Sequence, residues 1–361
     1  MGINFEPKQW EKVKANYELW WDNKLERPLI PVIISGRDPV RKQPIIPYLS
    51  QSTCNDLSIS AKDIVDRISY SLESEVYLGD SFPYVNLDSF GPGVIASFLG
   101  ASLDNSTGRV WFHPNHVLPI TELHFEYDSN NLWLNRIREI CCEAMKLWQG
   151  QVLVGMPDLG GILDIISTFR PADNLLLDLY DYPEEVERLV WELHELWHKF
   201  YNEINDVLQP INPGYSDWSS IYSAKPVYVI QSDVSYMISP DMFDIFVKPE
   251  LKATCSRLPR SMYHLDGVGQ LAHLNSLLEI EELDVVQWVP GTGKPPQTEW
   301  PDVYKKIKNI GKKIQIYDGR KDIDQIVEQL GTGKGIHCHL GWEDCSDVNK
   351  IKSHLRKYGI E

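Results

Sequence analysis

Cysteine is scarce in this chain: Cys54, Cys141, Cys142, Cys255, Cys338 and Cys345 are the only six among 361 residues. They form no CxxC pair and no regular framework, which excludes a disulfide-stapled scaffold. No stretch approaches the ~18 consecutive apolar residues of a membrane span. The opening residues, MGINFEPKQWEKVKANYELWW, are charged and lack the apolar core of a secretory signal. A reducing cytoplasm is therefore the expected compartment. Basic charge is also in short supply, with 35 Lys and Arg against 51 Asp and Glu and a net charge of -16. That balance argues against nucleic acid and against an anionic membrane as partners. No GxGxxG or Walker A sequence follows a strand, and GTGKG at 331–335 lacks the first glycine and the Ser/Thr of a phosphate loop. No internal repeat, low-complexity tract or Gly/Ser/Pro linker divides the chain.

What is present is an alternation. Short apolar runs occur at 29–34, 82–87, 152–156, 226–231, 261–265, 284–289, 313–317 and 335–339. Helical patterns lie between many of them, at 132–149, 183–208, 240–255, 270–282, 301–310, 322–330 and 346–357. Strands alternating with helices imply parallel pairing, and eight candidates fit a (β/α)₈ barrel with insertions. An open doubly wound sheet is the main alternative. The expectation is a single α/β chain: an N-terminal helical extension over residues 1–75 packed on a TIM barrel over residues 76–361. Twelve Trp and 17 Tyr exceed what such a core needs, and either ordinary packing or an aromatic-lined pocket accounts for them.

In a barrel, chemistry sits where strands end, and these ends are polar. They carry Asp88, Ser89 and the GPG of residues 91–93; Asp158 and two glycines; Ser232 and Asp233; His264 and Asp266; Gln287 and Trp288; Asp318 and Arg320; and His337, Cys338 and His339. Asp88, Asp158, Asp164, Asp233 and Asp318 could serve as acids, bases or partners of a cationic or pyrrole-like substrate. Gly91 and Gly93 would let backbone approach a ligand, and the PGTGKPP loop could form a lid. HELWH at 194–198 matches the HExxH zinc motif, but it lies on a strongly amphipathic helix without a third ligand, so packing explains it better. The stronger metal candidates are His264 and Asp266, which share one face of a strand, joined by Cys338 or by one of His337 and His339.

The runs DSFGPGVIASFLGA, DLGGILDIISTFR, DVSYMISPDMFDIFVKPEL and YHLDGVGQLAHLNSLL resemble the uroporphyrinogen decarboxylase superfamily over roughly residues 25–360. Ser239, Pro240, Phe243 and Pro249 carry the most specific part. The resemblance implies a (β/α)₈ barrel, either cofactor-free or zinc-dependent. The superfamily holds porphyrinogen decarboxylases and methyltransferases that exchange methyl groups between corrinoid proteins and thiols. The decarboxylases clamp substrate carboxylates with N-terminal arginines; here ERPLIPVIISGRD keeps Arg27 and Arg37 but not the full motif. The methyltransferases carry a His-x-Cys pair and a last-strand Cys on zinc. Here the pair looks like His264-Leu265-Asp266, with Cys338 in the last strand.

The resemblance favours a methyltransferase-type enzyme acting on a small methylated substrate or thiol in a corrinoid-linked pathway. His264, Asp266 and Cys338 would hold zinc. Asp233, Asp158 and Asp88 would be catalytic or orienting. Gly91, Gly93, Gln287, Trp288, Arg37, His337 and His339 would line the substrate. A corrinoid protein would be the partner, and a homodimer is compatible with the sequence. The alternatives are a metal-free decarboxylase, in which Asp88 or Asp233 stabilises charge on a carboxylated ring, and a binding barrel without catalysis.

Overall fold

A computed structural model describes residues 2–316, 322–339, 342–344 (backbone only) and 348–360. Asp318, Arg320 and Cys345 lie outside the described residues. The strands, in chain order, are β1 (Pro31–Ser35), β2 (Val76–Gly79), β3 (Tyr84–Val85), β4 (Ser102–Asp104), β5 (Trp111–His113), β6 (Leu153–Val154), β7 (Val227–Ile230), β8 (Arg260–Asp266), β9 (Val285–Val289), β10 (Lys313–Ile316), β11 (Ile336–Cys338) and β12 (Trp342–Asp344).

The centre is a five-stranded parallel sheet ordered β11-β10-β9-β8-β7, with helices between its strands. The expected closed ring of eight strands is not hydrogen-bonded among the described residues. β1 instead joins a separate sheet, parallel to β12 and antiparallel to β2, and β3 pairs only with β6. Side chains span the break between β6 and β7. Asn212 accepts from Val154 N–H at 3.0 Å and donates to its carbonyl at 2.9 Å, as a strand backbone would. Tyr228 Oη accepts from Leu159 N–H at 2.6 Å. These groups satisfy backbone that would otherwise have to extend the ladder.

The central sheet has two differently occupied faces, because side chains alternate along a strand. Tyr263, Leu265, Val286, Trp288, Ile314, Ile316, Ile336 and Cys338 join the core that packs against the helices. On the other face Val227, Val229, Met262 and Val285 join a second, aromatic core. That second core is built by the Pro7–Trp21 helix. Pro7 sits in its first turn, and Glu6 and Gln9 form a reciprocal capping box. Trp10, Val13, Tyr17, Trp20 and Trp21 fall at helical spacing and are buried against Phe82, Tyr222 and the sheet. Much of the aromatic surplus is thus packing, in a plug across the N-terminal ends of the strands.

Residues 1–75 contribute this helix and the Ala61–Glu73 helix, but also β1. The pattern expected as one helix over 240–255 divides into Pro240–Phe246 and Lys248–Arg257. Pro249 is the physical reason: it has no N–H to bond the Ile245 carbonyl, and it is accommodated instead in the first turn of the second helix. Among the described residues, no helix is long and apolar enough to cross a membrane.

Candidate active site

At the C-terminal ends of the strands, a group of carboxylates gathers beside one imidazole. Asp158 follows β6, and its Oδ1 accepts N–H groups from Gly160 at 2.9 Å and Gly93 at 3.4 Å. The two glycines nearly touch: a Cβ on Gly160, whose φ is +84°, would stand 2.6 Å from Gly93 Cα. The GPG turn is therefore a clamp on Asp158 as well as a turn. Asp164, in the first turn of the Ile162–Phe169 helix, accepts from the main-chain N–H of Asp233 at 2.9 Å and of Val234 at 2.8 Å.

Burial sets the protonation of this group. It pushes Asp158 up to about 7, although the glycine N–H groups pull the other way. It raises Asp88 well above the carboxylate range, with Asp158 adding repulsion. Asp164 and Asp233 are raised as well, by burial first and by charge from neighbouring carboxylates; His264 opposes the rise at Asp233. The principal charges acting on these acids are one another and His264, so protons or a cationic group would relieve the repulsion.

The turn Asp217–Ser220 completes the site. Asp217 Oδ1 accepts Ser219 N–H at 2.8 Å, while its buried Oδ2 has no hydrogen-bond partner. Burial raises Asp217 to about 6. Ser220 adopts φ +61°, a strained conformation for a non-glycine residue. Trp218, between them, packs edge-on against His264 with ring centroids 5.0 Å apart. The same indole walls a cavity of about 300 Å³ whose lining includes Tyr48, Glu75, Phe82, Tyr84 and His339. Glu75 is buried there, accepts from Tyr77 Oη at 2.8 Å, and is pushed up to about 8 by desolvation.

His264 stands behind Trp218 and beside the carboxylates, its Nε2 4.0 Å from Asp266 Oδ2. Below it lies a row of polar side chains in strand register. His264 on β8 is paired with Gln287 on β9, Gln287 with Gln315 on β10, and Gln315 with His337 on β11. Their side chains are hydrogen-bonded in the same order: His264 Nδ1 with Gln287 Oε1, Gln287 Nε2 with Gln315 Oε1, and Gln315 Nε2 with His337 Nδ1 at 3.3 Å. Gln315 Nε2 also donates to the Ser219 carbonyl at 2.8 Å, and His337 Nε2 lies 3.3 Å from Tyr17 Oη. Burial drives His337 down to about 3, so its ring is neutral.

The geometry revises several expected roles. Cys338 faces the helices, opposite in strand alternation to His337, and is not brought to His264 and Asp266. Among the described residues, no three His, Cys, Asp or Glu side chains are arranged to hold a metal. The expected zinc set therefore does not fit. Trp288 is fully buried in the same helix-facing layer, edge-on to Trp300. Gln287 and His337 are fully buried in the polar row. Arg37 donates to the Glu73 carbonyl at 2.8 Å, and Arg27 holds the buried Asp80 at 2.7 and 2.8 Å. Both arginines of the decarboxylase reading are thus engaged in the fold. A Cβ on Gly91 would meet Val110 at 2.5 Å, so this glycine serves close packing. In HELWH, His194 bonds Glu250 at 2.9 Å, His198 bonds Thr254 at 3.3 Å, and Glu195 pairs with Arg257 at the surface.

Four contributors were not anticipated from the sequence. Asp217 and Trp218 lie on a turn outside any apolar run. Gln315 had one signal, a lone polar residue inside the apolar run KIQI. Tyr17 had none beyond its place on an amphipathic helix.

No protein-family model matches the chain, and no curated protein matches it in sequence. Among solved structures, a methyltransferase from Methanosarcina mazei superposes with a TM-score of 0.60, covering 96% of this chain and 98% of that one at 12% sequence identity. At that identity the likeness is one of fold.

Proposed function

We propose that this chain is a methyltransferase-type enzyme of a (β/α)₈ class related to uroporphyrinogen decarboxylase, acting on a small methylated substrate or thiol. The observation that carries the reading is the setting of His264, whose ring packs against Trp218, a residue that also walls the cavity, and which has Asp266 and Asp233 beside it. The fold likeness to a methyltransferase over nearly the full length of both chains supports it. The cavity has the size of a small-molecule site.

In this reading the small acceptor is a thiol. Its S–H proton passes to His264 Nε2, and Asp266 and Asp233 stabilise the imidazolium that forms. The thiolate sulfur then bonds to the methyl carbon. The bond from that carbon to its donor breaks, and its electron pair leaves with the donor. A methyl donor carried by a corrinoid protein would meet the open rim beside Asp233, where Tyr236 and Met237 are half-exposed. The carboxylates favour a substrate without net negative charge. Zinc is left out of this reading, because Cys338 faces the helices, away from the strand face that carries His264 and Asp266.

The test is methyl transfer from methylcobalamin to small thiols, followed by loss of the methylcobalamin absorbance. Thiol methylation that falls ~10²-fold or more in His264→Gln supports the reading, on the scale of a lost general base. Unchanged transfer in that variant defeats it.

A further inference from the structure

The row of side chains beneath His264 contains one group whose hydrogen-bonding role is not adjustable. The Ser219 carbonyl can only accept. The Gln315 amide atom 2.8 Å from it must therefore be the –NH₂ group, which turns Gln315 Oε1 toward Gln287. That oxygen can only accept, so the Gln287 atom facing it is again an –NH₂ group. Gln287 Oε1 is left facing His264 Nδ1. An amide oxygen cannot donate, so the proton of that bond belongs to Nδ1. The second Gln315 N–H meets His337 Nδ1 at 3.3 Å, which must accept, so His337 carries its proton on Nε2, toward Tyr17. No amide in the row can be reversed without placing two donors or two acceptors face to face, a costly arrangement for buried groups.

We infer that Gln315 and Gln287 are positioning residues: anchored by the Ser219 carbonyl, they hold His264 as the Nδ1–H tautomer, with its Nε2 lone pair left on the side of Asp266. Both glutamines are fully buried. The same turn that anchors the row also carries Trp218 against the other side of the His264 ring. Ring orientation and tautomer are thus set from one segment. The tautomer stands on hydrogen bonding alone; its value to catalysis rests on the reading of His264 as the base.

The experiment is a long-range ¹H–¹⁵N spectrum of the full chain, labelled at histidine, at a pH where His264 is neutral. His264→Gln identifies the signals by their loss. The expected wild-type result is a protonated Nδ1 and an unprotonated Nε2 at His264. Gln315→Met removes the anchor and is expected to give a mixture of tautomers. A wild-type His264 protonated on Nε2 overturns the inference, even if Gln315→Met does not fold. So does a folded Gln315→Met protein that retains a pure Nδ1–H form. If the tautomer is as expected but His264→Gln still transfers methyl groups, the functional reading fails and the positioning stands.

Discussion

Asp164 binds two consecutive main-chain N–H groups, one from each carboxylate oxygen: Asp233 at 2.9 Å and Val234 at 2.8 Å. This places Asp233 at the rim although its own side chain is repelled by the carboxylates around it. Asn at position 164 has one accepting oxygen, and its –NH₂ would face the other N–H. Asp164→Asn should therefore cost ~1–3 kcal/mol, the usual penalty for an unsatisfied buried donor. Urea denaturation checks this; an unchanged midpoint would mean the two bonds are not holding the loop.

Gly160→Ala should be destabilising for two separate reasons. The residue has φ +84°, and the new Cβ would lie 2.6 Å from Gly93 Cα. Strain of this kind costs on the order of 1–3 kcal/mol. Because both glycine N–H groups bond Asp158, the loss should come with weaker ligand binding. A thermal melt together with a binding titration reads both effects.

Glu75 makes a prediction about pH. Its folded-state pKa is raised to about 8, above that of an unfolded glutamate. The folded state therefore binds the extra proton, and this contribution to stability is full below the unfolded pKa and is lost as pH rises toward and through 8. Glu75→Gln cannot ionise and can still accept from Tyr77. Relative to wild type it should gain stability between pH 5 and pH 9 by more than ~1 kcal/mol, since each pKa unit is worth about 1.4 kcal/mol. Parallel pH profiles for the two proteins would contradict this.

Much of the scaffold was legible in the sequence, and for a physical reason. The Pro183–Leu208 helix announces itself by a first-turn proline, two glutamates and a long apolar stripe. The strands of the five-stranded sheet are dense in β-branched residues because the sheet is buried on both faces. The short strands were less legible. β3 and β6 hold only two paired residues each, with Asn212 and Tyr228 side chains supplying further bonds. The site was half visible. His264, Asp266, Asp88, Asp158, Asp164 and Asp233 stand at strand ends or helix starts, where position alone drew notice. Period-two alternation separates His337 from Cys338 on β11, but which of the two faces the interior depends on the Pro7–Trp21 plug, whose docking lies beyond local pattern. Asp217 and Trp218 depend on a turn held by tertiary bonds.

Cys338 separates the sequence expectation from the structure. If it were a metal ligand, Cys338→Ala would abolish activity. Buried in the helix-facing core, it should instead leave a small cavity costing ~1 kcal/mol and retain methyl transfer. Denaturation and activity measured on one preparation distinguish the two.

The central claim is that His264, in its setting of carboxylates and Trp218, activates the methyl acceptor. Single-turnover transfer from methylcobalamin to a small thiol, compared across wild type, His264→Gln and Cys338→Ala, tests it most directly. The account predicts transfer by wild type and Cys338→Ala, and a loss of ~10²-fold or more in His264→Gln. Transfer that survives in His264→Gln but disappears in Cys338→Ala would contradict it.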